Sequence, residues 1–269
     1  MAAEVWGYRL RAAPKLRADL LAREEPLEIR VRGRGVAVTM RTPGHDDELA
    51  AGFLLAEGIV HRAEQIVGIR PCQQARSPEN TLNVFLAAGV KLDRKRLTRH
   101  VFATSSCGLC GKASIEAVHQ HFPPIHSTVT VAVRTLGALP DLMRAAQPAF
   151  TQTGGLHAAA LFDLQGALLA LREDVGRHNA VDKILGHGLL SKGLPFSSHI
   201  LLVSGRASFE ILQKALAGRI PVVCAISAPS SLAVEFARQN GQTLVGFLRD
   251  GAMNVYAGAE RITKGQNRR

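Results

Sequence analysis

Between Leu168 and Gln239 the chain repeats one pattern three times: an apolar run of strand length, a loop of small residues, and a segment with helical spacing. Leu168 to Val175 leads through Gly176 into a helix expected near Asn179 to Leu190. His199 to Val203 leads through Ser204, Gly205 and Arg206 into Phe209 to Ala217. Pro221 to Ser227 leads through Ala228 to Ser231 into Leu232 to Gln239. Apolar strands alternating with helices at this spacing imply a sheet with parallel strands and helices on its faces. Thr243 to Arg249 and Asn254 to Tyr256 read as closing strands.

In such sheets ligands bind outside the carboxyl ends of the parallel strands. Each of the three loops ends at a helix N-terminus, whose free N–H groups and dipole favour phosphate oxygens. Arg177 and Arg206 stand where bidentate contacts to phosphate are feasible. Capping and turning is the simpler reading of any one such loop. Three of them at one edge point to a nucleotide-sized anion site. Asp174, Arg177, His178, Asn179, Asp182 and Lys183 crowd polar groups into ten residues, some of them expected to form a salt-bridged helix start. His157 reads either as a catalytic base or as a packed, hydrogen-bonded side chain.

The first half differs in texture. Glu28 to Thr42 alternates and is expected to be a hairpin turning at Gly33 to Gly35. A helix is expected from Asp46 to about Glu57, with Asp46 as cap and Gly58 as stop. Strands near Ile66 to Arg70 and Thr81 to Ala87 lead to a basic helix from Asp93 to His100. The expected organisation is a small α+β domain over residues 1–125, ending in a cysteine loop, and an α/β domain over 126–269. Phe122 to Ile125, with two prolines, marks the boundary.

That cysteine loop, Thr104 to Lys112, holds Cys107 and Cys110 as a CxxC pair flanked by glycines. Thiolate is the reactive form, and a neighbouring cation or helix N-terminus favours it; Lys112 and the helix expected from Ala113 supply both. Structural zinc requires four ligands. Cys72 and Cys224 are isolated in sequence, and His119 and His121 point to opposite sides of a helix, so no metal site is expected. A thioredoxin-type dithiol follows a strand, whereas this pair follows a charged helix and a loop. Ser106 and Ala113 break the phosphate-loop pattern that the Gly-Lys pair suggests. Cys224, within an apolar run, reads as a buried small hydrophobe.

The chain has 269 residues, 46% hydrophobic and 20% charged, which fits one large or two small globular domains. No apolar run approaches the roughly 20 residues of a membrane span, and residues 1–6 lack the pattern of a secretory signal, so a cytoplasmic protein is expected. The net charge of +11 points to anionic partners. Aromatics are only 5% and the arginines are spread along the chain, so no nucleic-acid partner is expected. Lys264 to Arg269 reads as a solvated tail.

Together these segments resemble the formate dehydrogenase accessory sulfurtransferase family. The resemblance lies in Glu24–Val31, Arg41–Ile59, Ser105–Lys112, Thr153–Phe162, Glu173–Lys183, Ser204–Glu210, Ser227–Val234 and Gly246–Arg249 through Tyr256, and it covers most of the chain. It implies a larger domain resembling the cytidine deaminase fold, in a homodimer. It implies a carrier that accepts sulfur from a cysteine desulfurase as a persulfide and passes it to a bis-molybdopterin guanine dinucleotide molybdenum cofactor before insertion into formate dehydrogenase. By the same resemblance Cys107 carries the persulfide, with Cys110 assisting, and Phe247, Leu248, Arg249, Asp250, Gly251 and Ala252 contact the cofactor. The Pro-Cys-x-x-Cys zinc half-site of true deaminases is missing, which argues against deaminase chemistry. Two other readings of the residues stay open: a thiol-disulfide oxidoreductase, and a non-catalytic chaperone for the cofactor.

Overall fold

A computed structural model describes residues 1–90 and 122–264. The cysteine loop with Cys107 and Cys110, the helix expected over 93–100, His119, His121 and the last five residues of the tail lie outside the described residues. The described fold is mixed α/β, with six α-helices and fourteen strands. Its centre is a six-stranded sheet of β8 (His157–Asp163), β9 (Leu168–Asp174), β10 (His199–Val203), β11 (Val222–Ala225), β12 (Thr243–Arg249) and β13 (Ala252–Ala257), in the order β13-β12-β11-β10-β8-β9.

The sheet is mixed rather than parallel throughout. Only β10, β11 and β12 run side by side in parallel; β8, β9 and β13 are antiparallel to their neighbours. The physical reason lies in two tight turns that replace crossover helices. Gly166 has φ +91° in the β8–β9 turn, and Asp250 and Gly251 have φ +53° and +71° in the β12–β13 turn, the left-handed geometry that short hairpins require.

Alternation along the strands divides the core in two. Ala158, Ala160 and Phe162 face one side with Ile200, Leu202, Val222 and Cys224, and against them pack Leu136, Leu139 and Met143 of α2 (Val133–Ala145). Cys224 is fully buried, and burial pushes its thiol pKa up, as expected for a packing residue. Ala159, Leu161, Leu201 and Val223 face the other side, covered by α4 (Arg177–Leu190), α5 (Phe209–Ala217) and α6 (Ser231–Gln239). Helices on both faces make three layers. A short α3 (Pro148–Thr153) follows α2.

The second core continues through α4 into α1 (Asp46–Ala56) and a four-stranded sheet of β3 (Glu25–Val31), β4 (Arg34–Arg41), β5 (Ile66–Pro71) and β6 (Thr81–Leu86), ordered β4-β3-β6-β5. The β3–β4 hairpin turns at Arg32 and Gly33, both with positive φ, rather than at the expected Gly33 to Gly35. Asp46 does not cap α1. The N-cap is His45 in a left-handed conformation, and the Asp46 carboxylate instead receives the buried Arg41 guanidinium at 3.0 and 2.9 Å. Gly58, with φ +66°, follows the end of α1 as expected.

α1 and α4 cross with their backbones in contact. A Cβ on Gly52 would overlap the Asp182 carbonyl oxygen, and one on Gly186 would overlap that of Glu48, so both positions exclude a side chain. Arg172 of β9 adds an ion pair to Glu48 of α1, donating at 2.7 Å. Two peripheral pairs complete the fold. β7 (Val131–Ala132) pairs with β14 (Ile262–Thr263), and β1 (Ala2–Arg9) pairs with β2 (Ala12–Leu20) in an exposed hairpin that sets Trp6 opposite Leu16. Among the described residues no helix is long and apolar enough to cross a membrane.

Candidate functional site

Because β9, β10, β11 and β12 all point the same way, their carboxyl ends and the loops that follow form one edge, as the sequence pattern implies. Backbone bonds weld those loops together. Ser230 N–H donates to the Ala207 carbonyl at 3.0 Å, and Phe247 N–H donates to that of Ser227 at 3.1 Å. The loops differ in how they meet their helices. Ser230 Oγ accepts from Ala233 N–H at 3.3 Å and caps α6, whereas Gly176 before α4 and Ser208 before α5 provide no side-chain cap.

The expected salt-bridged helix start is present at α4. Asp174, fully buried at the end of β9, pairs with Lys183 Nζ at 2.7 Å and accepts from Gly176 N–H at 2.8 Å, Asn179 Nδ2 at 2.9 Å and Thr42 N–H at 3.2 Å. Lys183 also donates to the Thr42 carbonyl at 2.9 Å. This closed set ties the end of β4 to the start of α4. Lys214 of α5 reaches both carboxylate oxygens of Asp182 at 2.8 Å; burial raises the Asp182 pKa, and the ammonium opposes that shift.

Two histidines stand on this edge, both with lowered pKa. His157, the first residue of β8, lies opposite Asp174. Burial lowers its pKa, and the nearby Arg177 charge lowers it further. Its Nδ1 is 3.4 Å from Ser204 Oγ, which also accepts the Ala158 N–H at 2.9 Å. Gly205 packs beside this ring, where a Cβ would make ordinary contact with His157 and Arg177 at 3.4 Å. His178, on the first turn of α4, is pushed down to about 3 by burial and then by the charges of Arg177 and Lys214. Its Nε2 lies 3.3 Å from Ser208 Oγ. The Arg177 Nε is buried without a hydrogen-bond partner among the described residues.

Two cavities meet at His157 and Val175. One, of about 210 Å³, lies between the smaller sheet, α1 and the starts of α4 and α5, and is lined by Met40, Phe53, Arg177, His178, Asn179 and Lys214 among others. The other, of about 590 Å³, opens on the α2–α3 side and is lined by Arg144, Phe150, Ser204, Ile226, Arg249 and Asp250 among others. Ser204 belongs to the loop expected after His199 to Val203, whereas Arg144 and Phe150 carry no motif that marks them in sequence. Arg144 and Phe150 are brought here by α2 and α3.

The structure separates the residues expected at the ligand. Arg249 and Asp250 line the larger cavity, and Arg177 the smaller. Arg206 is exposed on the β10–α5 loop and lines neither. Leu248 is buried in the core, while Gly251 and Ala252 sit exposed at the hairpin turn. Phe247 holds φ +52°, a strained conformation for a bulky side chain, and the Arg249 guanidinium lies 5.8 Å from its ring centroid. Among the described residues no group of three or more His, Cys, Asp or Glu is placed to hold a metal ion.

Comparison with known proteins agrees with this geometry. The FdhD/NarQ family matches residues 22–263. A sulfur carrier protein FdhD from Mycobacterium tuberculosis is 55% identical over 256 residues, 92% of this chain and 93% of that protein. One from Streptomyces coelicolor is 53% identical over 257 residues, 93% of this chain and 91% of the relative. A solved structure described as a formate dehydrogenase accessory protein, from Desulfotalea psychrophila, superposes with a TM-score of 0.79 at 25% identity, covering 98% of this chain and 99% of that one. The β1–β2 hairpin precedes the family match, while both cavities and the whole strand-end edge fall within it, and on these grounds the chain belongs to the FdhD/NarQ family.

Proposed function

We propose that this chain is a sulfur carrier for the maturation of a formate dehydrogenase. It takes sulfur from a cysteine desulfurase as a persulfide on Cys107, with Cys110 assisting by thiol exchange, and delivers it to a bis-molybdopterin guanine dinucleotide molybdenum cofactor bound as client. It acts in the cytoplasm as a homodimer. The observation that carries this reading is the identity of 52–55% with sulfur carriers over more than 90% of the chain. Two structural features support it. The larger cavity lies where phosphates meet strand ends and loops, and Arg249 at its rim offers a charge-assisted donor. Phe247, Arg249 and Asp250 belong to a hairpin held in a strained shape, as binding loops often are.

Mass spectrometry of the protein after incubation with a desulfurase and cysteine tests the carrier role. A reducible sulfur adduct is expected on Cys107. Cys107→Ala is expected to abolish dehydrogenase maturation with a stability change below about 1 kcal/mol. Full maturation by that variant excludes the carrier role, and a Cys107–Cys110 disulfide without any adduct favours an oxidoreductase.

A further inference from the structure

The larger cavity is lined by Arg144 and Phe150 as well as by Arg249. The Arg144 guanidinium lies over the Phe150 ring, 4.2 Å from its centroid, and both residues line the cavity. Arg144 is exposed and makes no ion pair among the described residues. A guanidinium stacked on one aromatic ring keeps its second face for another planar group.

This wall is fixed from behind. Glu173, next to the buried Asp174, accepts from Phe150 N–H at 2.7 Å and from Ala149 N–H at 3.0 Å, occupying the N-terminus of α3 with both carboxylate oxygens. Gly154 then closes the helix, with φ +66° and its N–H on the Phe150 carbonyl at 2.7 Å. A helix of six residues has little stability of its own. Its position therefore depends on Glu173.

We propose that Arg144 and Phe150 form a stacking subsite for the planar heteroaromatic ring of the cavity's ligand, and that Glu173 is the positioning residue that holds it. The inference rests on the reading of this cavity as a nucleotide-type site. The phosphates face Arg249 and the ring lies against Arg144. Base stacking on an aromatic or guanidinium surface is worth enough to be read in affinity.

Calorimetry with GDP and with inorganic pyrophosphate separates the ring from the phosphates. Phe150→Leu and Arg144→Gln are expected to weaken GDP about fivefold or more, leaving pyrophosphate within about twofold. Glu173→Ala is expected to match Phe150→Leu, and Glu173→Gln, which keeps one acceptor, to recover part of the loss. Because Arg144 is exposed, its variant tests the idea even if the Phe150 variant misfolds. If the wild type binds pyrophosphate and GDP equally, or if the Phe150 and Arg144 variants lose neither ligand or both in the same proportion, the stacking subsite is wrong while the anion site stands. If the wild type binds neither ligand, the cavity reading itself falls and the subsite with it.

Discussion

The two sides of His157 handle charge in opposite ways. On one side, Asp174 and Lys183 are almost wholly buried, and Asn179, Gly176 and Thr42 complete their hydrogen bonding. On the other side, Arg144 and Arg249 are exposed and make no ion pair among the described residues. A buried charge without a partner is costly, so the closed set acts as a fastening between β4 and α4. Exposed cations bear no such cost and remain available to an anion. Within one short motif, Glu173 to Lys183, proximity to the site therefore does not imply contact with a ligand.

This contrast is open to direct attack. Asp174→Ala leaves Lys183 buried and uncompensated and is expected to cost about 3–5 kcal/mol of stability by urea denaturation. Arg249→Ala should do the reverse, changing stability by less than about 0.5 kcal/mol while weakening GDP by about 1.5–3 kcal/mol, tenfold or more, by calorimetry. A mild Asp174 variant alongside an unfolded Arg249 variant would invert the assignment. The effect of pH is smaller and sharpens the picture. The His178 pKa is depressed from 6.5 to about 3 in the fold, so its contribution to stability is fully present above about pH 6.5 and is lost as pH falls toward 3. Between pH 6.5 and 5 the loss approaches about 2 kcal/mol at about 1.4 kcal/mol per unit. Urea midpoints for the wild type and His178→Gln should converge over that range; an unchanged gap would show that the ring is solvated.

Much of this was legible where period and punctuation agree. His199 to Val203, Phe209 to Ala217 and Thr243 to Arg249 are read to the residue, because apolar strands end at small-residue loops and helices begin at the next periodic position. The antiparallel edges rest on subtler signals, Gly166 and the Asp250–Gly251 pair, which are hairpin turn residues. The β1–β2 hairpin has no such signal, since its turn is Leu10 and Arg11. Pro140 and Gly137 inside α2 weaken its helical signature, which hid the cover over the larger cavity. Pairings such as Glu173 with α3, or Asp174 with Thr42, join residues that only the tertiary fold brings together, and no local pattern announces them.

The contact between Gly52 and Gly186 also bears on how the chain is made. While the ribosome has delivered only the first half, Leu49, Ala50, Ala51, Leu54 and Leu55 of α1 have no α4 to cover them, because that helix is encoded more than a hundred residues later. The nascent protein therefore leaves the side of α1 that meets α4 uncovered until residue 190 has emerged, although the smaller sheet can already pack against its other side. Its yield in a cell then depends on translation speed and on chaperone supply during that interval.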